Sequence, residues 1–464
     1  MSDKSIIPTY TLGDKLIWSL ASLGGSIISG IYAALLLYFY QVYLGLDAYL
    51  IAIAAAIYAV WNAINDPLFG YISDSKSYKQ KGRRIPYMRY TTPLLAFGFI
   101  LVWFVPLTLD NISIFLWMLI SMLIYDTAYT IIFLMQSALL PEITEDDRER
   151  GEFNKYAGLF YLIGVIIGFV IPELLRPKVG QISLLPLYIG VIAVGIIGSI
   201  FIIIPTYRFH ERPEFTLVDE PVSLVDAIKF TFKSKAFIIV ACANFMSIFM
   251  QQILLGLMFY LGDYVMRTST LYLILSLFVG LVIGTLFSNI LAGKLGVVKA
   301  QQALLIIGAI FLMAIPFVPN FFIYVCLFFA GVGISGPLVL TNVLFAQVAD
   351  EDETISGVRR EAMFFGTNAL ITKPAQSLAI AVAAILLQLS GFIPAGKGGI
   401  VLDQPESAIL MMKIVVGFLP GLALLIGALI YIWYPLKGEY LTKVQEKVLR
   451  MHEEKHAKLM EKQS

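Results

Sequence analysis

The sequence predicts an all-α membrane protein with twelve transmembrane helices in two six-helix halves. Its 464 residues are 59% hydrophobic and only 14% charged, whereas a soluble domain carries about 25% charged residues. Apolar runs of about twenty residues, long enough to cross a bilayer, occur twelve times. A β-barrel strand needs only about 9 to 11 residues. Because lipid cannot satisfy an open backbone, we expect each run to be a helix.

The predicted spans 1 to 12 cover 16–44, 48–73, 90–108, 112–140, 156–175, 184–205, 236–262, 270–292, 302–319, 321–348, 362–390 and 408–434. They group into an N-terminal half at 1–205, a cytoplasmic linker at 206–235, a C-terminal half at 236–434 and a cytoplasmic amphipathic tail at 435–464. Leu441, Val444, Val448 and Met451 share one helical face of that tail. This pattern predicts a helix lying on the inner leaflet.

The distribution of basic residues predicts the orientation of the spans. Most of the 33 Lys and Arg residues fall in alternate segments that include both chain ends. By the positive-inside rule both termini are therefore expected in the cytoplasm, with the chain in the plasma membrane. The net charge of +1 gives no reason to expect a nucleic-acid partner. We expect a monomer whose partners are membrane lipid and a small organic solute.

The reactive residue types give no sign of an enzyme. The three histidines, at 210, 452 and 456, fall in a loop or the tail, and no nucleophile–base pair or phosphate loop is found. Cys242 and Cys326 lie inside apolar runs without metal-ligand spacing. We therefore expect no catalysis, no cofactor and no resident metal beyond a possible Na⁺.

Three charged side chains lie well inside the apolar spans, away from the span ends: Asp66, Asp126 and Lys373. A charge at such depth costs about 2.5 to 3.5 kcal/mol on insertion scales, and it usually faces the protein interior or a water path. Asp66 is the first candidate for a functional site. The alternatives are structural: Asp66 satisfied locally beside Pro67, Asp126 facing a wet cavity, and Lys373 snorkelling along a helix kinked by Pro374.

The two halves resemble each other where their fourth spans end. An acidic cluster followed by arginines occurs at 141–150 and again at 349–361. Two parallel six-helix halves predict a solute site between them near the midplane, with alternating access as the transport mechanism.

Several motifs in the first half resemble those of a known family. They are Asn62-x-x-Asn65-Asp66-Pro67-x-x-Gly70-x-x-x-Asp74, Lys81-Gly82-Arg83-Arg84-x-Pro86-Tyr87, Tyr129-Thr130, Pro141-Glu142 and Arg148-Glu149-Arg150. They resemble the melibiose-carrier family, the glycoside-pentoside-hexuronide:cation symporters of the major facilitator superfamily. The helix-2 pattern is also similar to that of eukaryotic lysolipid carriers. The likeness runs through nearly the whole chain and implies the major facilitator fold and cation-coupled symport.

The resemblance implies a cation site built from helices 2 and 4. The family's paired helix-2 acids fall on Asn62 and Asp66, its intervening asparagine on Asn65, and its helix-4 threonine on Thr130. Because one acid has become an amide, we expect weaker Na⁺ binding than in the family. Proton coupling becomes more favourable relative to sodium coupling, because a lone buried carboxyl holds a proton well. Asp126, one helical turn before Thr130, could supply the lost charge. The coupling ion stays open between H⁺ and Na⁺.

The family also carries a lysine at the position of Lys373. Its ammonium could pair with Asp66 or Asp126 when the cation is absent, which would couple the two halves.

The cytoplasmic loops predict a gate in which acidic clusters clamp the basic loop between spans 2 and 3. The predicted gate residues are Asp74, Arg83, Arg84, Glu142, Arg148, Arg150, Asp350 and Arg359. The alternative is that they are solvated end charges that set the topology.

The solute is not identified by the resemblance. The family's sugar-binding positions fall by ungapped alignment on Ser26, Phe133, Gly158 and Ser137, none of which matches, so a solute other than a galactoside is expected. Candidate wall residues are Ser26, Tyr125, Tyr129, Phe133, Gln136, Asn244, Gln251, Gln252 and Asn342, although aromatic residues on bundle helices often serve packing alone. We expect symport of a sugar-like or other small organic solute. The alternatives are a lysolipid or amphiphile carrier of the same fold and a non-transporting receptor or scaffold.

Overall fold

The computed structural model describes residues 10–74, 84–144, 147–177, 183–211, 231–356, 361–394 and 403–463. Within these ranges twelve helices are long and apolar enough to cross a membrane, so the predicted all-α architecture is confirmed. They are α1 (Leu12–Tyr38), α2 (Ala48–Asp74), α3 (Ile85–Trp103), α4 (Asn111–Ile143), α5 (Asp147–Leu175), α6 (Leu185–Arg208), α7 (Lys235–Gly256), α8 (Thr270–Leu295), α9 (Val297–Ala314), α10 (Asn320–Ser356), α11 (Glu361–Leu389) and α12 (Glu406–Trp433). The tail forms α13 (Gly438–Gln463).

Helix α3 begins five residues earlier than the apolar run predicted. Pro86 lies in its first turn, where a missing N–H is harmless and the fixed φ suits a helix. The carboxylate of Glu211 accepts hydrogen bonds from the backbone N–H groups of Arg84 at 2.7 Å and Ile85 at 2.6 Å. This side chain satisfies donors at the helix start that hydropathy alone cannot reveal.

The chain folds into two compact units. The first comprises Met1–Glu220, Leu255–Ile274 and Ile380–Met412, and the second comprises Pro221–Leu254, Leu275–Ala379 and Lys413–Ser464. The first unit therefore includes segments of the predicted C-terminal half, from the end of α7 to the start of α8 and from the end of α11 onward. Most of the predicted linker, 212–230, lies outside the described residues.

Close helix packing in the first unit depends on small residues. A Cβ on Gly168 of α5 would come within 2.7 Å of the Ile27 carbonyl oxygen and 2.9 Å of the Gly30 Cα. Between α1 and α6, a Cβ on Gly24 would overlap the Gly198 carbonyl. Small residues allow such backbone approach between membrane helices, where packing rather than water drives association. Helix α1 is thereby held against both α5 and α6.

The second unit uses the same device around α10. A Cβ on Gly284 of α8 would come within 2.7 Å of the Val332 Cα, and one on Gly333 within 2.5 Å of the Gly308 Cα of α9. Helix α10 is therefore packed tightly between α8 and α9.

The tail helix α13 packs on α10. Val444 and Val448 are buried, Tyr440 Oη donates to Glu351 Oε1 at 3.0 Å, and Lys447 Nζ donates to the Thr354 carbonyl at 2.8 Å. The predicted apolar face exists, but its valines pack against protein instead of remaining free for the inner leaflet. The amphipathic pattern could not distinguish these two partners, because both offer apolar surface.

Candidate functional site

A buried polar cluster joins α2 and α4 in the first unit, with Asp126 at its centre. Asp126 is 6% exposed, and each oxygen of its carboxylate accepts a hydrogen bond. Tyr58 Oη donates to Oδ1 at 2.9 Å, and Asn65 Nδ2 donates to Oδ2 at 2.9 Å. Neutral donors on both oxygens stabilise the ionised form of a carboxyl in an apolar interior.

Two amide oxygens in this cluster have no hydrogen-bond donor within the described part of the chain. They are Oδ1 of Asn62, which is 2% exposed, and Oδ1 of Asn65, which is 0% exposed. The Asn65 oxygen is left over because the amide nitrogen is turned to Asp126. Leaving a buried acceptor unsatisfied costs about 1 to 3 kcal/mol. A bound cation would supply what these oxygens lack.

The two predicted helix-4 ligands lie one turn apart on α4, and Thr130, like Asp126, is 6% exposed. Asp66 is half-buried on α2. The contacts of Tyr58 and Asn65 therefore place Asp126 at the centre of the cluster. Sequence reasoning missed Tyr58, although its spacing of four and seven residues from Asn62 and Asn65 puts all three on one helix face.

An aromatic column runs along α4 beside this cluster. Tyr125 stacks on Tyr32 of α1 with ring centroids 4.4 Å apart, and it lies 5.9 Å from Tyr129. Tyr129 in turn lies 4.4 Å from Phe133. The Phe133 ring occupies the space that a side chain at Gly25 would need. Three predicted wall residues of α4 thus form one continuous aromatic surface.

The remaining predicted wall residues of the first unit are buried. Ser26 is 1% exposed; its hydroxyl donates to its own helix at the Leu23 carbonyl, 3.1 Å away, and faces Gly164 of α5. Gln136 is also buried. Ser26 therefore lies in the contact between α1 and α5, in keeping with its small size.

In the second unit, α7 and α11 meet through a polar contact. Asn244 Nδ2 donates to Asn368 Oδ1 at 3.3 Å, and Thr372 Oγ1 donates to the Asn368 carbonyl at 3.0 Å. Lys373, the next residue, is half-buried, and its predicted pairing with Asp66 or Asp126 stays a prediction. Of the other predicted wall residues, Gln251 and Gln252 are half-buried and Asn342 is exposed.

Only part of the predicted cytoplasmic gate can be located. Arg83 and Arg359 lie outside the described residues, as do the side chains of Asp74, Glu142 and Arg148. Arg84 and Asp350 are half-buried, and Arg150 Nε donates to the Thr144 carbonyl at 2.8 Å.

Sequence reasoning missed two ion pairs on this side, Lys15 with Glu152 and Arg208 with Asp14. Both connect residues more than 130 positions apart in sequence, |i−j| being 137 and 194.

No group of three or more His, Cys, Asp and Glu side chains that could hold a metal ion occurs in the described ranges. The Asp126 cluster therefore offers one carboxylate supplemented by neutral oxygens. That donor set suits a monovalent hard cation or a proton better than a tightly held transition metal.

Comparison with known proteins gives the family. The family described as "MFS/sugar transport protein" matches residues 17–438 of the chain. The chain belongs to this family.

This MFS protein is similar to an uncharacterised symporter of Synechocystis sp., with 22% identity over 95% of this chain and 97% of the relative. It is also similar to the sodium-dependent lysophosphatidylcholine symporter 1 of Xenopus tropicalis, with 23% identity over 82% of this chain and 79% of the relative. The inward-open xylose transporter XylE of E. coli shares its fold at a TM-score of 0.66 and 12% identity, over 94% and 99% of the two chains. The MFS protein is an integral membrane transporter of the major facilitator superfamily. The narrower likeness to the melibiose-carrier family stays a prediction.

Proposed function

We propose that the MFS protein is a cation-coupled symporter of an organic solute, with Asp126 as its coupling carboxylate. The observation that carries this proposal is the pairing of a buried carboxylate with the two donor-free amide oxygens of Asn62 and Asn65. Intramembrane acids usually mark ion paths, and a cation here would meet both carboxylate and amide oxygens. Asp66, half-buried on the same helix as the amides, is the second acid of the proposed path.

The orphan oxygens favour Na⁺ over H⁺ as the coupling ion. A proton bound to Asp126 could be donated to only one of the two orphan amide oxygens and would leave the other without a donor. A sodium ion adds no donor and can be shared by several acceptors. The sodium-dependent relative named above supports the same choice.

An amphiphile such as a lysolipid is the solute class that the site supports best. The aromatic column of Tyr125, Tyr129 and Phe133 offers apolar surface rather than paired hydroxyl-binding groups. Ser26, where a sugar-binding acid would fall, is packed against α5. The relative in Xenopus tropicalis is named for lysophosphatidylcholine symport. A sugar-like solute is the second candidate, because the family description includes sugar transport.

The experiment that tests the proposal is uptake into proteoliposomes containing the purified protein. Labelled lysophosphatidylcholine and a panel of labelled sugars are offered under an inward Na⁺ gradient, an inward H⁺ gradient or no gradient. Albumin removes lysolipid left on the outer leaflet before counting. An Asp126→Asn variant is measured beside an Asp110→Asn variant, whose exposed carboxyl precedes the same helix.

Lysolipid accumulation that requires the Na⁺ gradient, and that Asp126→Asn but not Asp110→Asn abolishes, is the expected result. Accumulation of a sugar instead would select the second candidate. If Asp126→Asn matches the parent under every gradient, the coupling role of this carboxylate is wrong. The proposal also includes three expectations about the protein in the cell. Both termini lie in the cytoplasm, the protein is in the plasma membrane, and it is a monomer.

A further inference from the structure

An arginine lies inside the membrane span of α3. Because this helix begins at Ile85, Arg89 belongs to its second turn and not to the loop before it. Its guanidinium reaches the last turn of α6, where Nε donates to Thr206 Oγ1 at 3.1 Å and Nη2 donates to the Thr206 carbonyl. Neither acceptor carries a negative charge, so these two bonds orient the guanidinium without neutralising it.

Within the described ranges, no carboxylate pairs with Arg89. The cation two residues after Thr206 differs, because Nε of Arg208 donates to Asp14 Oδ1 at 2.7 Å. A guanidinium has five N–H donors on three nitrogens, and the bonds to Thr206 engage two of these nitrogens. A full positive charge and the remaining donors of Arg89 are therefore available to a ligand.

Exposed tyrosines lie beside this guanidinium. Its central carbon is 4.2 Å from the Tyr207 ring centroid, and Tyr207 is 67% exposed. Tyr90, the next residue on α3, is 75% exposed. Tyrosines are enriched where a membrane meets water, because the ring is apolar and the hydroxyl is wet. These residues therefore place Arg89 at the depth of the lipid headgroups.

An apolar strip continues from the tyrosines toward the middle of the membrane. Its exposed side chains, on α3 and α6, are Leu94, Phe97, Ile200 and Ile204. The two helices meet again further in, where a Cβ on Gly195 would lie 3.3 Å from the Ile100 side chain. From Arg89 to Ile100 the helix rises by about 16 Å, and one leaflet of the hydrocarbon core is about 15 Å thick. The strip is therefore long enough for one acyl chain.

Charge decides which lipid suits this surface. A guanidinium binds phosphate through parallel N–H bonds, and basic side chains at a membrane surface attract negatively charged headgroups. A zwitterionic headgroup offers the same phosphate but carries its own cation, so its net charge does not neutralise Arg89. A soluble phosphate has no chain to cover the exposed strip. An anionic diacyl phospholipid satisfies both the charge and the apolar surface.

We propose that Arg89, Tyr207 and the apolar strip form a binding site for an anionic phospholipid, which is held as a resident lipid and not carried as the solute. The phosphate lies on the free edge of the guanidinium, and one acyl chain follows the strip. The lipid thereby supplies the counter-charge of Arg89 and joins the start of α3 to the end of α6. The proposal depends only on the chain being a membrane protein, and it stands whichever ion and solute the MFS protein carries.

The test places a fluorescent reporter in the strip. Phe97→Trp exchanges one exposed aromatic side chain for another, and the chain with Phe97 retained gives the signal of the five native tryptophans, which is subtracted. The full chain is reconstituted in vesicles of dioleoylphosphatidylcholine in which a small fraction of the lipid carries brominated acyl chains. Bromine quenches tryptophan only at short range. Quenching by brominated phosphatidylglycerol is compared with quenching by brominated phosphatidylcholine.

Arg89→Gln removes the charge, and Arg89→Lys keeps the charge but loses the planar fork. The matched control is Lys155→Gln on α5. Lys155 is exposed, and its Nζ lies 5.7 Å from the Tyr156 ring centroid, so it is another basic side chain beside a tyrosine.

In the reporter chain with Arg89 intact, we expect brominated phosphatidylglycerol to reach a given quenching at about one tenth of the fraction that brominated phosphatidylcholine needs. Arg89→Gln should abolish this preference, because the lipid then gains neither the charge nor the paired hydrogen bonds. Arg89→Lys should keep part of the preference, and Lys155→Gln should leave it unchanged.

Should Arg89→Gln fail to fold, Tyr207→Leu removes the ring beside the guanidinium while keeping every charge, and a smaller fall in the preference is expected. Equal quenching by the two lipids with Arg89 intact, or an unchanged preference in either folded variant, would overturn the proposal. Equal falls in Arg89→Gln and Lys155→Gln would also overturn it, because they would show general attraction to a basic surface. If inorganic phosphate abolishes the preference and chloride at equal ionic strength does not, the ligand is a soluble anion and the lipid site is wrong.

Discussion

Replacing Asp126 by asparagine is the sharpest test of the cation site. The change removes the charge and keeps the side-chain volume. The new amide can accept from Tyr58 Oη as the carboxylate does now, at 2.9 Å. Asn65 can turn its amide so that its oxygen meets the new N–H group. The expected cost to folding is therefore small, about 1 kcal/mol for one rearranged hydrogen bond.

The expected effect on cation binding is much larger. Two unit charges about 4 Å apart attract by about 4 kcal/mol at an effective dielectric constant near 20. Since each 1.4 kcal/mol is about tenfold in affinity, loss of the charge weakens Na⁺ binding about a thousandfold. The amide oxygens of Asn62 and Asn65 remain, but no negative charge of the cluster then offsets the desolvation of the ion.

Thermal unfolding of the purified protein measures this loss. Sodium chloride is compared with choline chloride at equal ionic strength. A ligand present at a hundred times its Kd stabilises by about 2.7 kcal/mol, and after a thousandfold loss of affinity the same concentration gives only about 0.1 kcal/mol. The parent and Asp110→Asn should therefore show a Na⁺-dependent shift that Asp126→Asn lacks.

A sodium-dependent shift that survives in Asp126→Asn would refute the reasoning. Loss of the shift in Asp66→Asn alone would move the site to the half-buried acid of α2. Loss in both variants would give a site with two acids.

Three further predictions concern packing and the tail. Gly168→Ala should destabilise the protein by about 1 to 3 kcal/mol in thermal unfolding, because its Cβ meets the backbone of α1. Gly158→Ala on the same helix has open space and should be neutral or slightly stabilising, and equal effects would contradict the packing argument. Tyr58→Phe should cost about 1.5 to 3 kcal/mol through its bond to the Asp126 carboxylate. A double-mutant cycle with Asp126→Asn should show that cost shrinking, and simple additivity would argue against it. Val448→Asp should release α13 to limited proteolysis while Leu449→Asp, at an exposed position, should not, and protection of both would show that α13 is held elsewhere.

The number and type of helices follow from composition and hydropathy because lipid leaves few alternatives for a long apolar run. Helix ends are harder to predict, as α3 shows: its start depends on Glu211, a carboxylate more than a hundred residues away in sequence, |i−j| being 126. Hydropathy values carry no information about a capping residue so distant in the sequence. Similarly, the face of α13 was predictable, but the surface that covers it was not.

For the candidate site, sequence reasoning found the polar residues but not their relations. Asp66 stood out because it interrupts an apolar run, whereas Asp126 was a secondary candidate. Only the packing of α2 on α4 shows that Tyr58 and Asn65 turn toward Asp126. The ion pair of Arg176 with Asp263 could not be predicted, because these two residues lie 87 positions apart in the chain.

The hydrogen bond from the Thr270 backbone N–H to the Glu173 carboxylate has a consequence for how the protein is made. This carboxylate caps the first backbone N–H of α8, Thr270, across 97 residues of sequence. A ribosome completes α5 well before α8, so the Glu173 carboxylate is already present when α8 inserts. A fragment that begins at α7 would lack this cap. The first backbone N–H of α8 would then depend on water for a hydrogen bond. Separately synthesised halves should therefore regain this cap only when both are present in the same membrane.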